Sequence, residues 1–159
     1  MCLSLENETM DLFKEKFLDH CKATVRRKIE LIAFSMDEIS GSMENETKSS
    51  AGDKHETARA KMQSEHEKLS WQMDEFKSQH ELLQKLDTER ATETISSQNL
   101  VYTDKGIFFI IIPLGKVEFE SKTIYVISPT SPLGKALIGL KLDESVRVNN
   151  FDYKVLAIL

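Results

Sequence analysis

From Leu18 the apolar residues recur at steps of three or four: Leu18, Cys21, Val25, Ile29, Ile32, Met36 and Ile39. That spacing keeps them on one stripe of an α-helix. A second stripe runs through Met62, His66, Leu69, Met73, Phe76, His80 and Leu83. Its steps alternate four and three, the seam of a heptad pattern. No Pro or Gly interrupts Lys54 to Arg90, and good helix formers fill that stretch. One helix of roughly 37 residues, about 55 Å long, is predicted there. Between the stripes lies SGSMENETKSSAGD, polar and rich in Ser and Gly, which predicts a mobile tip. Each stripe is narrow and needs a partner. An antiparallel hairpin supplies one within the chain; an intermolecular coiled coil is the alternative.

The period changes after Asn99. LVYT, IFFIII, KVEFE, TIYVIS, SVRVN and YKVLAI are short runs rich in β-branched and aromatic residues. Such runs predict strands. Turn signals separate them at Asp104-Lys105-Gly106, Pro113-Leu114-Gly115, Ser121-Lys122 and Asn149-Asn150. In SVRVN the two valines, Val146 and Val148, share a face. One helical insertion interrupts the strands. Ser131 is a good cap, Pro132 suits the first helical turn and Gly139 suits the stop. A helix over roughly Pro132 to Ile138 would bury Leu133, Leu137 and Ile138. The fold class is therefore α+β. Residues 1–92 form an antiparallel helical coiled-coil hairpin with an acidic tip at about 40–56, and residues 93–159 form a small, mostly antiparallel β domain.

Charge sharpens this division. Residues 1–90 carry 14 Lys and Arg against 19 Asp and Glu, while residues 91–159 carry 7 against 7. The acidic balance argues against a protein that coats duplex nucleic acid. Two cysteines, Cys2 and Cys21, are too few for a disulfide framework or a zinc cluster. The start lacks the pattern of a signal peptide, and IFFIIIPL is too short to span a bilayer as a helix. A cytoplasmic protein is expected. His66 and His80 lie about 21 Å apart along a helix and cannot share a metal, so they read as polar seam positions. The aromatic residues of the second part read as core, with a ligand-binding aromatic pocket as the alternative.

At the tip, Gly52-Asp53-Lys54-His55-Glu56 has the spacing of a capping box, Asp53 as cap and Glu56 folding back. The same tip resembles a motif of the Gre family of bacterial transcript cleavage factors, Gly-Asp-x-x-Glu-Asn-Ala. A second stretch, ISPTSPLGKALIGLKLDESV from Ile127 to Val146, is similar to that family's C-terminal signature. The resemblance implies an FKBP-like C-terminal domain that docks on RNA polymerase, and a hairpin that enters the secondary channel. It implies that Asp53 faces a Mg²⁺ shared with the polymerase and that Glu56 positions metal or water. No metal is expected on the chain alone. Ser131, Pro132, Leu133 and Gly134 would lie in the polymerase-binding surface. Lys22, Arg26, Arg27 and Lys28 would be candidates to contact RNA, with a solvated helix face as the plainer reading.

In that picture the chain is not itself an enzyme. It stimulates cleavage by the polymerase, meets the nascent RNA 3′ end only indirectly, and acts as a monomer away from membranes. Thr57 stands where the family has Asn, and the aromatic usual shortly afterwards is absent from TARA. A channel-binding regulator without cleavage activity is thus a second reading. An FKBP-like isomerase or chaperone with a helical arm is a third.

Overall fold

A computed structural model describes residues 2–48, 52–86 and 92–159. Helices α1 (Cys2–Lys48) and α2 (Asp53–Gln84) come first. Strands β1 (Leu100–Thr103), β2 (Gly106–Ile110), β3 (Gly115–Phe119) and β4 (Lys122–Ile127) follow, then helix α3 (Pro132–Leu137) and strands β5 (Ser145–Val148) and β6 (Phe151–Ile158). The architecture is α+β, as the change of period requires. The chain packs as two compact units. One is His20–Lys85. The other comprises Met1–Asp19 and Leu86–Leu159.

The first unit is a helical hairpin. The ammonium of Lys28 lies 5.1 Å from the ring centroid of Phe76, and Nδ1 of His55 lies 2.6 Å from Oε2 of Glu46. Advancing along α1 therefore moves the partner backwards along α2, and the helices are antiparallel. Cys21, Val25, Ile32 and Leu83 are buried, and every other position of the two stripes is at least half-buried from Cys21 to Ile39 and from Met62 to His80. His66 and His80 sit in the seam as expected.

The polar stretch after Ile39 departs from its expectation. Its composition predicts a tip, yet α1 stays helical to Lys48. The serines do not break it because they turn inward. Ser40 Oγ donates to the Met36 carbonyl at 2.9 Å, and Ser42 Oγ to that of Glu38 at 3.0 Å. Such back-bonding lets Ser sit inside a helix. Only residues 49–52 separate the helices, and 49–51 lie outside the described residues. At its far end α2 stops at Gln84 rather than Arg90. The Lys85 N–H closes onto the carbonyls of Glu81 and Leu82.

The second unit is built on one six-stranded sheet, in the order β3-β4-β2-β1-β6-β5. All neighbours are antiparallel except β2 and β4, which run parallel because β4 lies between β2 and β3. Two tight turns have paired left-handed residues: Glu120-Ser121 (φ 45° and 62°) between β3 and β4, and Asn149-Asn150 (φ 49° and 67°) between β5 and β6. This geometry matches the twist of the strands it joins. The first of these turns falls one residue before its predicted place.

Both faces of the sheet are covered. Strand alternation sends Phe108 and Phe109 to opposite sides. On one side Phe108 and Ile110 pack with Val101, Val155, Ile95 and Leu137 of α3. On the other, Phe17 of α1 lies edge-on to Phe109, with ring centroids 5.7 Å apart. Phe119 meets Phe17 and Phe13 at 5.4 and 5.6 Å. The start of α1 thus belongs to the core of the β unit. Leu137 is fully buried and Leu133 half-buried, but Ile138, expected inside, is exposed. It is the C-cap of α3, where the chain has left helical geometry and its side chain leaves the buried stripe. Among the described residues no helix is long and apolar enough to cross a membrane.

Candidate functional site

The tip carboxylates come to lie in the first turn of α2. Gly52, at φ 74°, is the N-cap, and no side chain caps the helix. Asp53 is therefore the first helical residue instead of the cap, and the predicted capping box does not form. A glycine adopts this left-handed φ without strain, and the chain enters the helix through it. The His55 N–H tightens the turn there by closing onto the Gly52 carbonyl at 3.1 Å. Asp53 and Glu56 are both exposed. Among the described residues neither carboxylate has a hydrogen-bond or ion-pair partner. Both sit at a helix N-terminus, where free backbone N–H groups and the helix dipole favour negative charge. The fold tolerates them there and makes no other use of them.

The residue between them behaves differently. His55 turns inward, half-buried, and meets Glu46 of α1. Nothing in the spacing of the two stripes marked this pair. The available signal was a His one step before the second carboxylate, opposite a Glu near the end of the first helix. Thr57, in the place of the family's Asn, directs its hydroxyl to the Asp53 carbonyl at 3.2 Å.

The basic residues of α1 do not form one group. Arg26 and Arg27 are exposed, whereas Lys22 and Lys28 are half-buried. Lys28 lies over the Phe76 ring, a cation–π contact that ties the two helices.

In the stretch from Ser128, the fold accounts for most of the distinctive residues. Ser131 Oγ accepts from the Gly134 N–H at 3.0 Å and donates to the Ser128 carbonyl at 2.7 Å. It is the N-cap of α3, and Pro132 occupies the first turn, as expected. Gly134 is buried, and a Cβ there would lie 2.3 Å from the Ser128 carbonyl oxygen. Only glycine fits so close to that backbone. Gly139, at φ 92°, ends the segment, and its N–H reaches the Ile95 carbonyl at 2.7 Å. Of the four residues expected in a polymerase-binding surface, Pro132 is exposed, Leu133 and Ser131 are half-buried, and Gly134 is inside.

Of the aromatic residues expected in the core of the β unit, Phe108 and Phe109 are buried, but Phe151 is 60% exposed and Tyr125 39%, because β-strand alternation turns them to the outer face. Phe108 stacks on Tyr125 at 5.7 Å and meets Tyr153 edge-on at 5.9 Å. Tyr102 lies near the Lys122 ammonium, 5.8 Å from its ring centroid.

Among the described residues no three His, Cys, Asp or Glu side chains gather in a way that could hold a metal ion. Asp53 and Glu56 offer hard oxygens of the type Mg²⁺ takes, and Mg²⁺ readily completes its shell with water and with other carboxylates.

The chain matches no protein-family model. It matches no curated protein by sequence. Solved structures that it is similar to include GreA factor homolog 1 (Gfh1) of Thermus thermophilus, at 16% identity and a TM-score of 0.36, over 87% of this chain and 94% of that one. A second structure, of the transcription factor Gfh1, has 18% identity and a TM-score of 0.35, over 86% of this chain and 92% of that one. Gfh1 of Thermus aquaticus has 18% identity and a TM-score of 0.32, over 85% and 91%.

Proposed function

We propose that this chain is a Gre-type transcription factor of the cytoplasm that binds RNA polymerase, inserts the hairpin into the secondary channel and stimulates cleavage of backtracked RNA. The observation that carries the reading is the state of Asp53 and Glu56. Two carboxylates stand in the first turn of α2, exposed and without a partner among the described residues, in the segment Gly52 to Ala58 that resembles the family's tip. A capping role would have explained them more simply, but Gly52 has that position. The Ile127–Val146 stretch supports the same reading, although Ser131 and Gly134 within it serve the fold first.

In this reading Asp53 contributes oxygens to a Mg²⁺ site of the polymerase, and Glu56 orients a water or the same ion. A second ion in such a site stabilises the attacking or leaving oxygen in phosphodiester hydrolysis. The chain supplies position and charge; the nuclease activity is the polymerase's own. The test is to add the protein to a backtracked elongation complex with Mg²⁺ and follow the RNA. Shortening from the 3′ end is expected, and Asp53→Asn should abolish it while binding to polymerase persists. Undiminished cleavage by the Asn variant would remove Asp53 from the site.

One observation favours a second reading, a channel-binding regulator that does not stimulate cleavage. Thr57 spends its hydroxyl on the backbone of its own helix, so it does not replace the amide that the family's Asn presents. The same assay separates the two: this reading gives polymerase binding with RNA of unchanged length.

A further inference from the structure

We infer that His55 and Glu46 are a positioning pair, fixing the direction in which the tip shows its two carboxylates. The inference rests on the cleavage reading above and deepens it. Nδ1 of His55 and Oε2 of Glu46 are 2.6 Å apart, a short charge-assisted contact between the third residue of α2 and the last turn of α1. The two residues are nine apart in sequence, so the contact bridges the ends of both helices across the tip.

The first turn of α2 has little else to hold it. Its N-cap is a glycine, which has no side chain to accept from the free N–H groups. Rotation of that turn about the helix axis decides where its side chains point. At about 100° per residue, His55 lies roughly 160° round the helix from Asp53 and roughly 100° from Glu56. Drawing His55 toward α1 therefore turns Asp53 directly away from α1 and Glu56 to the flank. Releasing it lets the turn fray or rotate, and the carboxylates lose their common direction. A metal-directed carboxylate displaced by about 1 Å from its working position costs up to about 100-fold in rate.

His55 and Glu46 touch no reacting atom in this scheme. They act through Asp53 and Glu56, and the experiment must separate positioning from mere loss of charge or of folding. Cleavage of backtracked RNA is measured with Glu46→Ala, His55→Ala and the exchanged double variant Glu46→His with His55→Glu, at saturating protein. Amide hydrogen exchange over residues 53–58 is followed in the free chain with the same variants. The single variants should slow cleavage about 10-fold or more and speed exchange in the first turn of α2. The exchanged pair, with unchanged composition, should bring both back to within about threefold of the parent. Single variants that cleave and exchange like the parent overturn the inference. So does a double variant no better than the singles. A parent that fails to shorten RNA defeats the cleavage reading and this positioning role with it; the exchange data then show separately whether the pair ties the two helix ends.

Discussion

The two compact units use their side chains in opposite ways. In the β unit Phe17, Phe109, Ile110 and Leu137 are at most 1% exposed, and the sheet is packed on both faces. In the hairpin most of the seam is only half-buried, and Trp71 stands 80% exposed on the outer side of α2. A pair of helices can cover only the stripe that each turns to the other. The β unit thus gains stability from rings and branched side chains closed off from water. The hairpin gives up much of that stability and leaves much of its polar surface, Asp53 and Glu56 included, exposed. Lining of the grooves beside the seam carries this further: Ser35, Ser40 and Ser42 stand where larger residues would fill the space against Met62 and His66.

The contrast can be broken by comparing truncations, largest effect first. Phe17→Ala removes a fully buried ring from between Phe13, Phe109 and Phe119, and should cost about 3–5 kcal/mol in urea unfolding. Gly134→Ala forces a methyl against the Ser128 carbonyl and should cost about 1–3 kcal/mol by the same measurement. In the hairpin, Leu69→Ala removes a half-buried side chain and should cost only about 1–2 kcal/mol. Trp71→Ala should stay within about 0.5 kcal/mol. A loss at Leu69 equal to that at Phe17 would erase the distinction between the units. Ser131→Ala removes the cap of α3, for about 1 kcal/mol, and Ser131→Asn should restore most of it.

The smallest effect concerns pH. The carboxylate of Asp104 accepts from the Lys154 N–H at 2.8 Å, which, aided by Lys105, holds its pKa below the ordinary value. A carboxyl lowered in this way stabilises the fold above its unfolded value of about 4, and the contribution is lost as pH falls through the folded value. Asp104→Asn should lower the melting temperature slightly at pH 7, where the charged carboxylate contributes, and flatten its fall between about pH 5 and 2. A steeper acid decline in the variant would contradict the assignment. Chemistry at Cys21 marks the hairpin from inside. Burial pushes its thiol up to about 12, so in a Cys2→Ser background it should react with a disulfide reagent only as fast as the helix pair opens.

Much of this was legible in the sequence, and the parts that were not have physical causes. All six strands follow from β-branched runs between turn residues, and the two seams from steps of three and four, because those signals report burial on one face. The continuation of α1 through Ser40 to Lys48 was hidden, since Ser and Gly also compose loops and only the inward hydroxyl bonds show that the helix persists. The aromatic pair Phe13 and Phe17, spaced four apart, went unread because its partners Phe109 and Phe119 lie in the other half of the chain. At the tip, local spacing suggested a cap where a glycine already did the work. The inward turn of His55 depends on the phase of one helix against another, which no single stretch of sequence contains.

The placement of Phe13 and Phe17 has a consequence for how the protein is made. A ribosome releases the chain from its N-terminus at about 5–20 residues per second. The two rings emerge early, and Phe109 and Phe119 follow only after all of α2 has been synthesised. The hairpin can zip up meanwhile, since both of its helices have by then emerged. The aromatic start of α1 cannot, and its rings lack their partners in the sheet until β2 and β3 have emerged. Slowed synthesis of β2 and β3 should prolong that interval.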